Sequence, residues 1–233
     1  MIILALDSTA KAAAVALLDT EQLIAKDMHD DGNTHSSTLL PMVETLLKAN
    51  SLTVNDIDLF AASAGPGSFT GVRIGAATLK GLAFGKNKPC VAVSALEALA
   101  YNMRHTDCTV CALMDARRGQ FYTATFEIAN GDVKRITPDE AKSGEDIAAS
   151  LAKYEKVYLV GDGAAVALPF FSDNACLAPS ECLLADGESV GLLANKLYAL
   201  GEYVSDAEFA PTYLRLPQAE RERLEKLQQE NIK

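Results

Sequence analysis

Ala61-Ala62-Ser63-Ala64-Gly65-Pro66-Gly67-Ser68-Phe69-Thr70-Gly71-Val72-Arg73-Ile74-Gly75 is the stretch around which the rest of the chain is organised. An apolar run from Ile57 to Ala64 ends in Gly-Pro-Gly, and a small-residue helical pattern begins a few positions later. That order reads as a strand, a tight turn and a helix N-terminus. Glycine at 65, 67 and 71 permits positive φ and lets a second backbone or a ligand come close. Ser68 and Thr70 are cap candidates, and the first N–H groups of the helix form an anion site. No Lys-Ser or Lys-Thr pair closes the loop, so it is not the G-x-x-x-x-G-K-[ST] phosphate loop. A plain strand-to-helix turn and a ligand-cradling loop both fit these residues.

Upstream, Ile2 to Asp7, Ala12 to Leu18 and Leu23 to Met28 read as three strands, an antiparallel meander at the edge of a mixed sheet. Asn33 and Thr34 are N-cap candidates for a helix to about residue 50, with Leu39, Leu40, Val43, Leu46 and Leu47 on one face. Pro41 should kink that helix or mark its first turn. Downstream, the organising turn feeds a helix from Thr70 to about Phe84, rich in Gly and Ala and suited to close helix–helix approach. Then follow a strand Cys90 to Val93 and a helix Ala95 to Met103 capped by Ser94. Beyond residue 105 come strands Cys108 to Asp115 and Gln120 to Ile128, and a hairpin turn at Asn130-Gly131. A helix Ile147 to Lys153, a strand Val157 to Val160, a turn Gly161-Asp162-Gly163 into another helix, and an amphipathic helix Val190 to Tyr203 complete the pattern.

With 233 residues, 49% of them hydrophobic, the chain has ample length for a core, and disorder is excluded. No uninterrupted apolar stretch reaches about eighteen residues, so no membrane span is expected. Met1 to Asp7 lacks a basic n-region and reads as a first strand, which places the chain in the cytoplasm. A net charge of −10 argues against wrapping nucleic acid unaided. The five cysteines fit buried thiols in a reducing compartment. Cys108-Thr109-Val110-Cys111 lies in a strand-like run, where positions three apart point to opposite faces, so it reads as neither a zinc nor a redox motif.

The chain divides near residue 105, and each half opens on an apolar strand ending in Asp, at Asp7-Ser8-Thr9 and Asp115-Ala116-Arg117. The expected units are an N-terminal lobe (1–105), a C-terminal lobe (106–215) and a charged tail (216–233), solvated helix or frayed. There is no close sequence repeat, only a repeated plan. Two related α/β lobes with mixed sheets resemble the actin/hexokinase/heat-shock ATPase (ASKHA) architecture, in which a nucleotide sits between the halves. Asp7, Ser8, Thr9, Gly65, Gly67, Ser68, Gly161 and Gly163 are therefore the candidate phosphate-loop residues.

A closer resemblance rests on Ile3 to Thr9, His35-Ser36, Gly65 to Gly75, Val93 to Ala100, Asp115 to Tyr122, Gly161 to Ala164 and Pro211 to Arg215. These blocks, in this order over nearly the whole chain, resemble the bacterial TsaB (YeaZ) proteins. The resemblance implies a component of the machinery that builds threonylcarbamoyladenosine next to the anticodon of tRNAs reading codons that begin with A. It further implies a metal-bearing catalytic homologue (TsaD) as partner, joined through a helical interface, with a small ATPase (TsaE) docking on the pair. On this reading the complex uses ATP and a metal held by the partner, and tRNA is met indirectly. The catalytic homologues carry His-x-x-x-His in a segment that matches the helix after Ser94. Ala95 and Leu99 stand there in this chain, and neither side chain can ligate a metal. The resemblance thus implies a non-catalytic paralogue.

The helices 34–50 and 70–84 are the candidate partner surface, through Leu39, Val43, Leu46, Val72 and Ala76; covering the sheet is the other use of those residues. A homodimer through the same surface is expected when the partner is absent. The alternative function is an independent ATP-dependent kinase or ATPase, with Asp7, Asp115 and Asp162 as its acidic residues. Against it, Arg117 and Arg118 stand where a second phosphate cradle prefers glycine. No Ser-His-Asp or Cys-His arrangement supports a peptidase. Whether Arg73, Arg117 or Arg118 holds a phosphate or tRNA is left open by the residues alone.

Overall fold

The computed structural model describes residues 1–215 other than 31 and 33. The candidate cap Asn33 and the charged tail 216–233 lie outside the described residues. Two mixed sheets carry the fold. The first contains β1 (Ile2–Asp7), β2 (Ala13–Asp19), β3 (Gln22–His29), β4 (Leu59–Gly65) and β5 (Cys90–Ser94), in the order β3-β2-β1-β4-β5. The three opening strands are antiparallel, and β1, β4 and β5 are parallel. β1, β2 and β4 read as continuous apolar runs because both faces of the sheet are covered, whereas the edge strand β3 is exposed or half-buried along its length.

The second sheet contains β6 (Cys108–Asp115), β7 (Gln120–Ala129), β8 (Asp132–Arg135), β9 (Glu140–Ser143), β10 (Val157–Val160) and β11 (Ala175–Leu177), in the order β11-β10-β6-β7-β8. Read from the β8 edge and renumbered within its own half with β9 set aside, that order is again third, second, first, fourth, fifth, with β6 the antiparallel partner of β7 and the parallel partner of β10. The repeated plan of the sequence is thus a repeated arrangement of strands, the ASKHA-like pair of α/β lobes. β9 is extra and pairs with the near end of the long strand β7.

The helices are α1 (His35–Ala49), α2 (Phe69–Ala83), α3 (Ala95–Tyr101), α4 (Gly144–Leu151), α5 (Ala164–Ala167) and α6 (Gly187–Ala199). Pro41 lies in the second turn of α1, which runs on past it, so it neither starts nor ends the helix. The helix that closes each half packs on the other half's sheet. Ala95, Leu96, Leu99 and Ala100 of α3 share a core with Val110, Ala112, Met114 and Phe126 of the second sheet. Val190, Leu193 and Ala194 of α6 share one with Ile3, Ala5, Ala16 and Leu18 of the first.

Two sequence expectations are corrected here. Residues 187–212 do not belong with the second sheet: α6 covers the first, Cys90 and Val204 exchange two backbone hydrogen bonds of 2.9 Å, and Phe209 is buried in the first core. An apolar helix face shows that a sheet is covered but not which sheet. Leu39, Val43, Leu46, Val72 and Ala76 are not surface residues, being at most 7% exposed. They cover the first sheet, most of them in one core with Leu4, Leu17, Met42 and Leu79.

The joint between α3 and α6 is polar and closed. Buried Asn102 donates to the carbonyls of Cys182 (3.1 Å) and Leu184 (2.7 Å) and accepts from Ser189 Oγ (2.7 Å). Beside it Arg104 pairs with Glu188 at 2.7 Å. Asn102→Ala leaves the buried Ser189 hydroxyl and two half-buried carbonyls without this partner and should cost about 2–4 kcal/mol in urea unfolding; a loss below about 0.5 kcal/mol would contradict this account of the joint.

Candidate functional site

The lobes face each other across a cleft of about 960 Å³. On the first lobe it is bounded by the turn after β1 and by the N-terminus of α2. Asp7 ends β1 buried, accepting from Thr9 N (2.8 Å), Thr9 Oγ1 (2.8 Å) and Ser63 Oγ. Burial pushes its carboxyl above the ordinary value, and the Ser63 and Thr9 hydrogen bonds oppose that rise. Ser8 Oγ donates to Gly71 O at 2.9 Å, and Ser68 N donates to Thr9 O at 2.8 Å. Ser68 is the N-cap of α2, accepting from Gly71 N at 3.3 Å; Thr70, the other cap candidate, lies inside the helix.

The glycines of this loop are used up by these contacts. A Cβ on Gly67 would collide with Thr9 O, one on Gly71 with Ser8 O, and one on Gly75 would come 2.6 Å from Ser8 Oγ. The close approach that glycine permits is therefore made by the protein's own backbone. Gly65, at φ 119°, meets the Thr212 carbonyl in the same way, Gly161 meets Leu113 O, and Gly163 lies against Asp115 N. Of the eight candidate phosphate-loop residues, Thr9, Gly67 and Ser68 line the cleft; Asp7, Ser8, Gly65, Gly161 and Gly163 do not. Of the two readings of the loop, this packing fits the plain strand-to-helix turn.

The second lobe contributes the turn between β6 and β7. Arg117, Arg118 and Gly119 have φ of 67°, 57° and 69°, three successive left-handed residues. Asp115 stabilises the turn by accepting from Arg117 N at 2.7 Å. Asp162 accepts from the backbone N–H of Asp115 at 3.3 Å. Burial raises its pKa, the Asp115 N–H hydrogen bond opposes that rise, and the Asp115 carboxylate adds to it.

The cleft carries the cations Lys11, Arg73, Arg117, Arg118 and Arg215 against the acids Asp115 and Asp162. Lys11 pairs with Asp30 at 3.1 Å; among the described residues, none of the four arginines has a carboxylate partner. At one rim the rings of Phe69 and Tyr213 stack at 4.8 Å and 9°. Arg73 lies 5.6 Å from both ring centroids and donates to Tyr213 Oη at 2.9 Å. Arg215 lies 5.8 Å from the ring of Tyr122, which also lines the cleft. Sequence reasoning does not single out Lys11, Phe69, Tyr122 and Arg215 as site residues, because they lie in four segments far apart in the chain; folding brings them to one cleft.

The arrangement is suited to holding an anion. Ser8 and Ser68 are committed to the backbone, and burial pushes the Cys90 thiol up to about 11, so none is poised as a nucleophile. Ala95 and Leu99 lie inside α3's apolar contact with the second sheet. Among the described residues, no group of three or more His, Cys, Asp or Glu is placed to hold a metal. Cys108 and Cys111 do lie on opposite faces of β6, in different cores.

The raised pKa of Asp7 sets a pH test. A carboxyl that is harder to ionise when folded contributes stability fully below its unfolded pKa, and that contribution is lost as pH rises through the folded value. The stability of the wild type minus that of Asp7→Asn should therefore fall as pH rises above about 3.8. Urea unfolding across pH 4–7 measures it, and a difference that grows with pH would contradict the assignment.

Residues 30–222 match the sequence model of a family described as "TsaD: tRNA N6-adenosine threonylcarbamoyltransferase". A Bacillus subtilis protein described as "tRNA threonylcarbamoyladenosine biosynthesis protein TsaB" is 39% identical over 140 residues, 60% of this chain and 61% of the relative. The protein of the same description from Haemophilus influenzae is 32% identical over 225 residues, 91% of this chain and 93% of the relative. The solved structure of YeaZ from Pseudomonas aeruginosa superposes with a TM-score of 0.80 at 29% identity, covering 91% of this chain and 99% of that one. No helix among the described residues is long and apolar enough to cross a membrane.

Proposed function

The chain belongs to the TsaB family, and we propose that it is a non-catalytic subunit required for threonylcarbamoyl transfer to the adenosine next to the anticodon of tRNAs reading A-starting codons. In this reading it binds and activates a metal-bearing TsaD-type transferase, and a TsaE-type ATPase docks on the pair. ATP and the metal are used by the complex and the metal is held by the partner. Most of the tRNA is held by the partner as well, in keeping with this chain's net charge of −10. The observation that carries the proposal is the near full-length match to TsaB relatives; in keeping with it, Ala95 and Leu99 of α3, which the resemblance sets at the catalytic homologues' histidine pair, are apolar and buried.

The closed glycine loop supports the non-catalytic reading over the kinase. A phosphotransferase must bring γ-phosphate, metal and base together, and here the loop backbone that would hold the phosphate is occupied by Ser8 and Thr9. The partner surface is drawn from the outer faces of α1 and α2, where Leu40 is 52% exposed, and not from the five buried residues Leu39, Val43, Leu46, Val72 and Ala76. The same faces are the proposed homodimer contact when the partner is absent, and the cytoplasm is the proposed location.

The test is reconstituted threonylcarbamoyladenosine formation on unmodified tRNA. Product should require both this chain and the transferase, and this chain without the transferase should give none. Product from this chain alone, or full activity without it, would overturn the proposal. A robust ATPase of the isolated chain, abolished by Asp7→Ala or Asp162→Ala, would favour the kinase.

A further inference from the structure

We propose that the cleft between the lobes is a binding site for single-stranded RNA, gripping phosphates with arginine side chains and stacking a base at the Phe69–Tyr213 rim. The choice of RNA among polyanions rests on the proposed role in tRNA modification; the cleft chemistry does not.

The charge distribution points to an anionic ligand. In a chain of net charge −10, four of the arginines collect in one cleft without carboxylate partners among the described residues. Cations gathered in a cleft repel one another and focus a positive field there. Arg117 and Arg118 are exposed and held in left-handed backbone, conformations that cost an L-residue about 1–2 kcal/mol each.

The form of the site separates a strand of RNA from a compact nucleotide. Glycine loops hold a mononucleotide by letting its phosphates sit on the backbone, and here that approach is closed at Gly67, Gly71 and Gly163. Side chains from both lobes remain: Arg73 and Lys11 from the first, Arg117 and Arg118 from the second, and Arg215 from the segment that returns after α6. Charges spread along a cleft suit a backbone of successive phosphates. Aromatic faces beside a basic groove are where unpaired bases stack; Phe69 is half-buried and Tyr213 is 43% exposed. Arg73, against both rings, keeps that platform in place.

The experiment is fluorescence anisotropy of the full chain with a labelled single-stranded RNA of about twelve nucleotides, over a salt series. Saturable, salt-sensitive binding is expected. Arg117→Gln/Arg118→Gln should weaken it about tenfold or more and reduce the slope of log affinity against log salt by about 0.7 for each phosphate no longer neutralised. Phe69→Leu should weaken binding about tenfold with the slope unchanged. Lys48→Gln/Lys153→Gln removes the same charge from exposed positions elsewhere and should change little. No saturable binding, equal weakening by the control pair, or displacement of the RNA by stoichiometric MgATP would overturn the proposal, the last in favour of a nucleotide. The readout contains no modification step. If the chain proves dispensable for tRNA modification while the arginines still govern RNA affinity, the site stands and the functional reading falls. If the chain is required for modification but binds no RNA in the cleft, the functional reading stands and the site falls.

Discussion

The contact on which the rest of the structure depends is the closure of the first βα loop against the first β turn. Asp7 is held by Thr9 and Ser63, Ser8 bonds Gly71 O, and Ser68 N bonds Thr9 O. α2 can descend this far only because residues 67, 71 and 75 have no Cβ. The gain is a rigid floor for the first lobe, in which backbone polar groups satisfy one another. The consequence is that nothing else can occupy the loop. Chemistry that needs an anion on bare backbone is excluded there, and whatever the cleft binds must be met by side chains.

The exchange of closing helices completes the frame. Since α3 lies on the second sheet and α6 on the first, neither lobe has its full core without the other. The Asn102 network and the Arg135 pairing with Glu97 join the two halves by hydrogen bonds and charge. Asp162, which lines the cleft, is bonded to the backbone of Asp115 within the second lobe.

Much of the fold is legible in the sequence because its signals are local. Apolar runs ending in Asp, Gly-Pro-Gly before a small-residue helix, and Ser94 before an apolar face mark β1, β4, β6, α2 and α3. β8, β9 and β11 escape such a reading because Asp132–Arg135 and Glu140–Ser143 are polar and Ala175–Leu177 has three residues, so pairing and not pattern makes them strands. The return of 187–212 to the first sheet is illegible since a helix's apolar face does not name its partner. The glycines are legible as sites of close approach, but a sequence cannot say whether the approaching atoms belong to a ligand or to Ser8 and Thr9. The cleft's cations come from four separate segments, and each alone is an ordinary surface residue.

Hydrogen exchange at the amides of Thr9, Ser68, Gly71 and Val72, with and without millimolar MgATP, tests the central claim that this loop is closed by its own backbone. The account predicts exchange as slow as that of the core strands, opening only with global unfolding, and no change on adding nucleotide. Rapid exchange in the free chain, or protection of these amides that appears with MgATP, would contradict it and restore the loop as a phosphate cradle.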